Sequence, residues 1–144
     1  MSTTQGYSFP KSARLTSTKA ISHLYENGQR GGCKPLRYVI HCQSCQDEQN
    51  TKVLVSVPKR LFKRAVHRNK LKRRIREAYR LRYTRLETLA TEHNINIHLG
   101  VMYSWDKQVE FKIIDDAMEK LISGIEKSIE EGKHLPARST DILL

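Results

Sequence analysis

Long apolar runs are missing from this 144-residue chain: no stretch approaches the ~20 consecutive apolar residues that a membrane-spanning helix needs. Residues 1–20 hold Ser, Thr and a few basic side chains, but neither the apolar segment of a secretion signal nor the amphipathic arginine helix of an organelle-import peptide. The expectation is a cytoplasmic protein. Cysteine is scarce as well. Cys42 and Cys45 form a C-x-x-C with His41 adjacent and Cys33 and His23 upstream, yet a zinc site needs four ligands in paired spacing, and no second pair exists. Reduced loop thiols are the better reading, because a Cys42–Cys45 disulfide is not expected in a reducing compartment. No Ser/His/Asp or paired-carboxylate arrangement argues for catalysis by the chain itself. Asp115 and Asp116 fall in the first turns of the last predicted helix, where acids complement the dipole, and read as structural.

Acidic residues are missing from one place in particular. Between positions 59 and 82 stand 12 basic side chains (Lys59, Arg60, Lys63, Arg64, Arg68, Lys70, Lys72, Arg73, Arg74, Arg76, Arg80, Arg82) and one acid, Glu77. The segment carries +11, the net charge of the whole chain, so the remainder is neutral. Such concentration presents a polyanion-binding element. A membrane-surface helix would set bulky Trp and Phe against the charges, whereas this segment offers only Leu71, Ile75, Ala78 and Tyr79. Nucleic acid is therefore favoured. With 38% hydrophobic residues the chain can bury a core, which excludes a wholly disordered basic tail.

Residues 1–10 read as a loose arm, 11–132 as a single domain, and 133–144, which show no period, as a frayed tail. Leu15, Ile21, Leu24 and Tyr25 predict a helix over 11–27, stopped by Gly28. Gly31 and Gly32 read as a flexible turn. Residues 36–41 predict a strand and 42–50 a polar loop. Residues 51–57, with Val53, Val55 and Val57 alternating, predict a second strand that Pro58 closes. The basic segment predicts one long helix over 63–90. Leu71, Ile75, Ala78, Tyr79 and Leu89 share about a third of its circumference. Arg68, Lys72, Arg76, Asn69, Arg80 and Arg73 lie beside that stripe, while Lys70 and Arg74 project on a third side. Residues 95–103 alternate as a third strand, and 109–131 repeat as an amphipathic helix ending at Gly132. The order predicts an α+β fold: a small two-layer sandwich with a sheet of three to four strands and the basic helix inside a strand–helix–strand unit. Helix-turn-helix, zinc-finger and P-loop patterns are absent.

The densest chemistry is the string A-V-H-R-N-K-L-K-R-R-I-R-E at 65–77. Arg68, Lys72 and Arg76 recur every fourth residue, about 6 Å apart along one side of a helix, a spacing that lets three cations meet successive phosphates. Asn69 adds a neutral donor and acceptor between them, and the arginine forks suit bidentate phosphate contacts. The alternative, a solvated basic face without a partner, is disfavoured by the lack of interleaved acids. This A-V-x-R-N-x-x-K-R-x-x-R-E string, with Ser56-Val57-Pro58-Lys59-Arg60 just before it, resembles the signature of the bacterial ribonuclease P protein component. Arg14-Leu15, Gly28 and Pro35-Leu36 extend the likeness, which covers roughly residues 8–130.

The resemblance implies a small α/β protein whose basic helix lies in a left-handed β-α-β crossover, against the usual right-handed rule. It implies a monomer within a ribonucleoprotein, bound to a large catalytic RNA that with Mg²⁺ removes the 5′ leader of precursor tRNA. The enzyme is then an endoribonuclease whose hydrolytic site belongs to the RNA, and the protein holds no catalytic residue and no metal of its own. By the same resemblance Lys59, Arg60, Arg68, Asn69, Lys72, Arg73 and Arg76 contact the catalytic RNA, while Ile21, Tyr25 and Tyr38 mark a leader-binding cleft between the first helix and the sheet. Ile21 departs from the family's aromatic residue, so stacking of a leader base, worth about 1–3 kcal/mol, is expected at Tyr25 rather than there. Two further departures are Lys70 where the family carries Arg, and Phe62-Lys63-Arg64 in place of a tight Gly-Asn turn, so the approach to the helix is expected to differ. Trp105 and Tyr103 are read as packing residues before RNA stackers, and His67 as either a phosphate contact or a solvated side chain. The rival reading is a ribosome-associated structural RNA-binding protein, which would place its basic residues on tails; here the tails are nearly neutral. A DNA-binding module would lack a second helix to brace a recognition helix.

Overall fold

The computed structural model describes residues 14–44 and 51–132; the expected arm, the expected tail and Cys45 lie outside them. Helix α1 (Thr18–Asn27) starts where the Ser17 hydroxyl accepts from the Ala20 amide at 3.2 Å, and ends where the Gly28 amide reaches the Leu24 carbonyl. Strands β1 (Gln29–Cys33), β2 (Leu36–Ser44) and β3 (Thr51–Ser56) follow, then helices α2 (Ala65–Arg80) and α3 (Tyr83–His93), strand β4 (Ile95–Tyr103) and helix α4 (Phe111–Glu130). The mixed α+β class expected from the sequence is what the chain adopts, with one open sheet ordered β1-β2-β4-β3. β4 pairs antiparallel with β2 and parallel with β3, so α2 and α3 form the crossover between parallel neighbours.

Two expectations need correction. Gly31 and Gly32 do not form a turn. They lie in edge strand β1, paired antiparallel with β2, where Gly31 stands opposite Tyr38. A Cβ on Gly31 would come within 2.7 Å of the Tyr38 ring, so the missing side chain is what lets that ring lie across the strand.

The second concerns the single helix over 63–90, which is two helices with an elbow at Leu81 and Arg82. No Gly or Pro marks the break. The Arg82 guanidinium makes it, donating to the Ala78 carbonyl at 2.8 Å, to Asp115 at 2.7 Å and to Glu119 at 2.9 Å on α4. A straight 28-residue helix would run ~42 Å, past the ~30 Å of a nine-residue strand. Bending keeps Leu71, Ile75 and Tyr79 as well as Leu86, Leu89 and Ala90 over the sheet.

Strand alternation then divides the molecule. On one face, Leu36, Ile40, Val53, Ile97, Leu99 and Val101 meet α2, α3 and α4 in the main core. On the other, Val39 packs with Leu15 and Leu24 beneath α1, and Ala20, Ile21, Tyr25 and Leu54 flank this smaller cluster. No helix among the described residues is long and apolar enough to cross a membrane.

Candidate nucleic-acid interface

Helix α2 packs through Leu71, Ile75, Ala78 and Tyr79, all buried, which turns the adjoining residues into a solvent-facing ridge. Asn69, Arg73 and Arg76 are exposed and Lys72 is half-exposed. Among the described residues none of the four has a hydrogen-bond or ion-pair partner. Arg74, on the opposite flank, donates to the Val109 carbonyl at 2.6 Å, just ahead of α4. The ridge therefore lies on the side of α2 away from α4, beside edge strand β3. Lys59 and Arg60, also exposed and unpaired among the described residues, follow β3 in the turn closed by the Leu61 amide on the Pro58 carbonyl. Six cations and amides of the sequence motif thus share one side of the molecule.

Arg68 differs from its neighbours. Its Nη1 donates to the carbonyls of Phe62 at 2.7 Å and Lys63 at 2.8 Å, so it holds the turn leading into α2. Arg80 pairs with Glu77 at 2.5 Å, and the bond keeps the Glu77 carboxyl below the usual range. His67 Nδ1 lies 3.0 Å from the Gln108 amide. Seven of the twelve basic side chains of 59–82 stand on α2, and only part of these is available to a ligand.

The α1 side of the sheet is built in rows that cross β2, β4 and β3. Arg37, Met102 and Ser56 form the first row, Val39, Gly100 and Leu54 the second, and His41, His98 and Lys52 the third. α1 covers the second row. A Cβ at Gly100 would stand 3.0 Å from Val39 Cγ1 and 3.4 Å from Leu24 Cδ2, so a bare glycine is what allows the helix this close. Ile21 and Tyr25 sit half-buried at the helix edge, and the Arg30 guanidinium fixes the helix end by donating to the Tyr25 carbonyl at 2.7 Å. Arg37 is exposed, and Met102 and Ser56 are half-buried. Together with Ile21, Tyr25 and Leu54 they make up the part of this face beside α1 that is the candidate groove, with β3 between it and the basic ridge.

Tyr38 does not belong to this groove. Its neighbours Arg37 and Val39 face α1, so the period-two alternation of the strand turns Tyr38 to the opposite face, against the main core. Arg37, Met102 and Ser56 were not singled out in the sequence; the signal that finds them is the register of β2, β3 and β4, which needs the paired sheet.

Cys42 is not the loop thiol expected from the sequence: β2 runs on to Ser44, past the expected end at 41, and carries it into the sheet. Cys42 is buried in the main core, facing away from His41, and burial pushes its thiol up to about 12. Among the described residues no group of three or more His, Cys, Asp or Glu is placed to hold a metal ion. Asp115 pairs with Arg82, and Asp116 lies 3.6 Å from Lys112, both structural roles. Tyr103 is buried with its ring tilted against Phe62 and its hydroxyl donating to the Lys107 carbonyl. Trp105 packs at the core rim beneath the Lys34 ammonium, 4.5 Å from the ring centre.

Residues 9–126 match the family model described as Ribonuclease P. The ribonuclease P protein component of Porphyromonas gingivalis is 34% identical over 114 residues, covering 79% of this chain and 83% of the relative. That of Desulforapulum autotrophicum is 30% identical over 122 residues, covering 85% and 96%. Among solved structures, the RNase P protein of Staphylococcus aureus superposes with a TM-score of 0.58 at 20% identity, covering 78% of this chain and 94% of that one. The RNase P protein of Thermotoga maritima gives 0.55 at 16% identity, covering 75% and 93%. The two structures support the fold, and the family match with its relatives supports the kinship: this chain belongs to the ribonuclease P protein family.

Proposed function

We propose that this chain binds the catalytic RNA of ribonuclease P through the ridge of α2 and receives the 5′ leader of precursor tRNA in the groove beside α1. The observation that carries the reading is the adjacency of two unlike surfaces along β3. One is a set of cations, Lys59, Arg60, Lys72, Arg73 and Arg76, with no partner among the described residues. The other is an apolar-aromatic groove holding Tyr25 and Met102. Folded RNA supplies dense phosphates for the first. An unpaired strand supplies bases to stack and a backbone to meet Arg37 for the second.

In this reading the phosphodiester hydrolysis and the Mg²⁺ that supports it belong to the RNA. The protein works as a monomer inside the ribonucleoprotein. Its contribution is to neutralise phosphates where the two RNAs meet and to add leader contacts that mature tRNA lacks, so that substrate is favoured over product.

The test is cleavage of a 5′-extended precursor tRNA at low Mg²⁺ by the cognate catalytic RNA alone, the protein alone, and both together. Activity in the mixture, with the protein inert alone, is the expected result. Tight binding to structured RNA without stimulation would favour the ribosome-associated reading instead.

A further inference from the structure

The third row of the sheet face carries three features that the reading above leaves unused. His41 stands opposite His98 across β2 and β4, and His98 stands opposite Lys52 across β4 and β3. His23 on α1 meets His41 edge-on, with ring centres 4.8 Å apart and planes at 89°. The Nδ1 of His41 is buried and has no hydrogen-bond partner among the described residues. Next to these rings a hollow of about 330 Å³ opens between α1 and the sheet, lined by Ser17, Lys19, Ala20, His23, Gln43 and His98. Among the described residues no carboxylate lines it.

The charged and titratable groups facing this place come from every element around it: Lys19 and His23 from α1, His41 from β2, Lys52 from β3 and His98 from β4. All are cationic or become so on protonation. A proton on His41 or His98 is opposed by burial and by the neighbouring cationic groups. Burial, then His23, holds His41 below the usual histidine range; burial, then Lys52, His41 and His23, does the same for His98. An anion in the hollow reverses that balance, because it offers each added proton a counter-charge. The hydroxyl of Ser17 and the amide of Gln43 add neutral hydrogen-bonding groups at the rim.

We propose that this hollow is a proton-linked anion site that takes a phosphodiester of single-stranded RNA, with His41 and His98 binding protons as the strand seats. The inference rests on the leader reading and extends it to the other flank of α1: Ile21 and Tyr25 stand on one side of the helix, His23 and Ala20 line the hollow on the other, and there the phosphate is held by imidazoles rather than by arginines. Lysine and arginine keep their charge across the range in which histidine titrates. The ridge of α2 therefore binds RNA with little dependence on pH, and the hollow adds a component that strengthens as pH falls.

The experiment follows the imidazole resonances of the full-length protein by NMR while a short single-stranded oligouridylate is added, from about pH 8 to about pH 5.5. The expected result is an upward movement of the titration midpoints of His41 and His98 on binding. Affinity for the same oligonucleotide should tighten on lowering pH by up to about tenfold per unit for each proton taken up. His98→Gln should flatten that dependence, whereas His67→Gln should keep it. Midpoints that do not move, or a pH dependence that survives in His98→Gln and vanishes in His67→Gln, would overturn the proposal. Inorganic phosphate separates the sources: an equal shift at the same concentration as the strand would overturn the strand assignment, and a requirement for far more phosphate supports it. No catalytic RNA enters this assay. Failure to stimulate precursor cleavage would count against the ribonuclease P reading, while unmoved imidazoles count against the hollow alone.

Discussion

Arg82 and Asp115 face each other at 2.7 Å across the junction between the elbow of the crossover and α4. The arginine side chain is only 12% exposed, and it also holds the last turn of α2 and Glu119. One residue of the basic run thus bends the long helix instead of meeting RNA. Removing it leaves a buried carbonyl and a half-buried carboxylate short of a donor. Arg82→Ala is expected to lower unfolding free energy by about 1–3 kcal/mol, read from urea denaturation, while RNA affinity per folded molecule stays near that of the parent chain. A loss of affinity without a loss of stability would move Arg82 into the interface.

Acid should act on the same junction. Glu119 is held at about 2, chiefly by its bond to Arg85, then by Arg82 and Ser123. A carboxylate whose folded value lies below its unfolded one contributes stability above the unfolded value, and loses it as pH falls toward the folded value. Stability should therefore decline between about pH 4.5 and about pH 2, and Glu119→Gln should decline less steeply there. Thermal midpoints measured across that window check the sign. The carboxylate is about half exposed, so the effect is modest.

Within the α2 motif, Arg73 and Arg68 should separate. Arg73 is exposed and unpaired among the described residues, so Arg73→Ala should weaken binding to the catalytic RNA and reduce the salt slope by about one. Arg68 holds the Phe62 and Lys63 carbonyls, so Arg68→Ala should cost about 1–2 kcal/mol of stability in addition to any loss of affinity. Salt titrations paired with thermal melts distinguish the two; identical profiles would contradict the hydrogen bonding described.

Tyr25 and Tyr38 lie on opposite faces of the sheet and should behave oppositely. Tyr25→Ala is expected to weaken precursor tRNA binding more than mature tRNA binding, by roughly the 1–3 kcal/mol of a stacked base. Tyr38→Ala should leave that ratio unchanged and destabilise the fold by about 1–3 kcal/mol, because its ring covers Gly31 and packs on the main core. Equal losses on both tRNAs for Tyr25→Ala would make it a packing residue.

The amino-acid order alone reveals the chemistry of the chain: the concentration of charge at 59–82, the R-N-x-x-K-R-x-x-R spacing and the apolar stripe opposite it are local properties, readable because helical periodicity is local. The strands around 36–41, 51–57 and 95–103 and the last helix are legible for the same reason, whereas the extension of β2 through Cys42 to Ser44 needs its pairing with β4. What tertiary structure decides is anything set by a partner far along the chain. The elbow at Arg82 depends on Asp115 and Glu119 more than thirty residues later. The strand at Gln29–Cys33 depends on pairing with β2, since its two glycines carry no hydrophobic signal. The face on which Tyr38 lies follows from register, where one residue of slip exchanges core and surface. The groove row of Arg37, Met102 and Ser56, and the meeting of His23, His41 and His98, exist only once β4 slots between β2 and β3, because strand pairing joins residues that no sequence window contains.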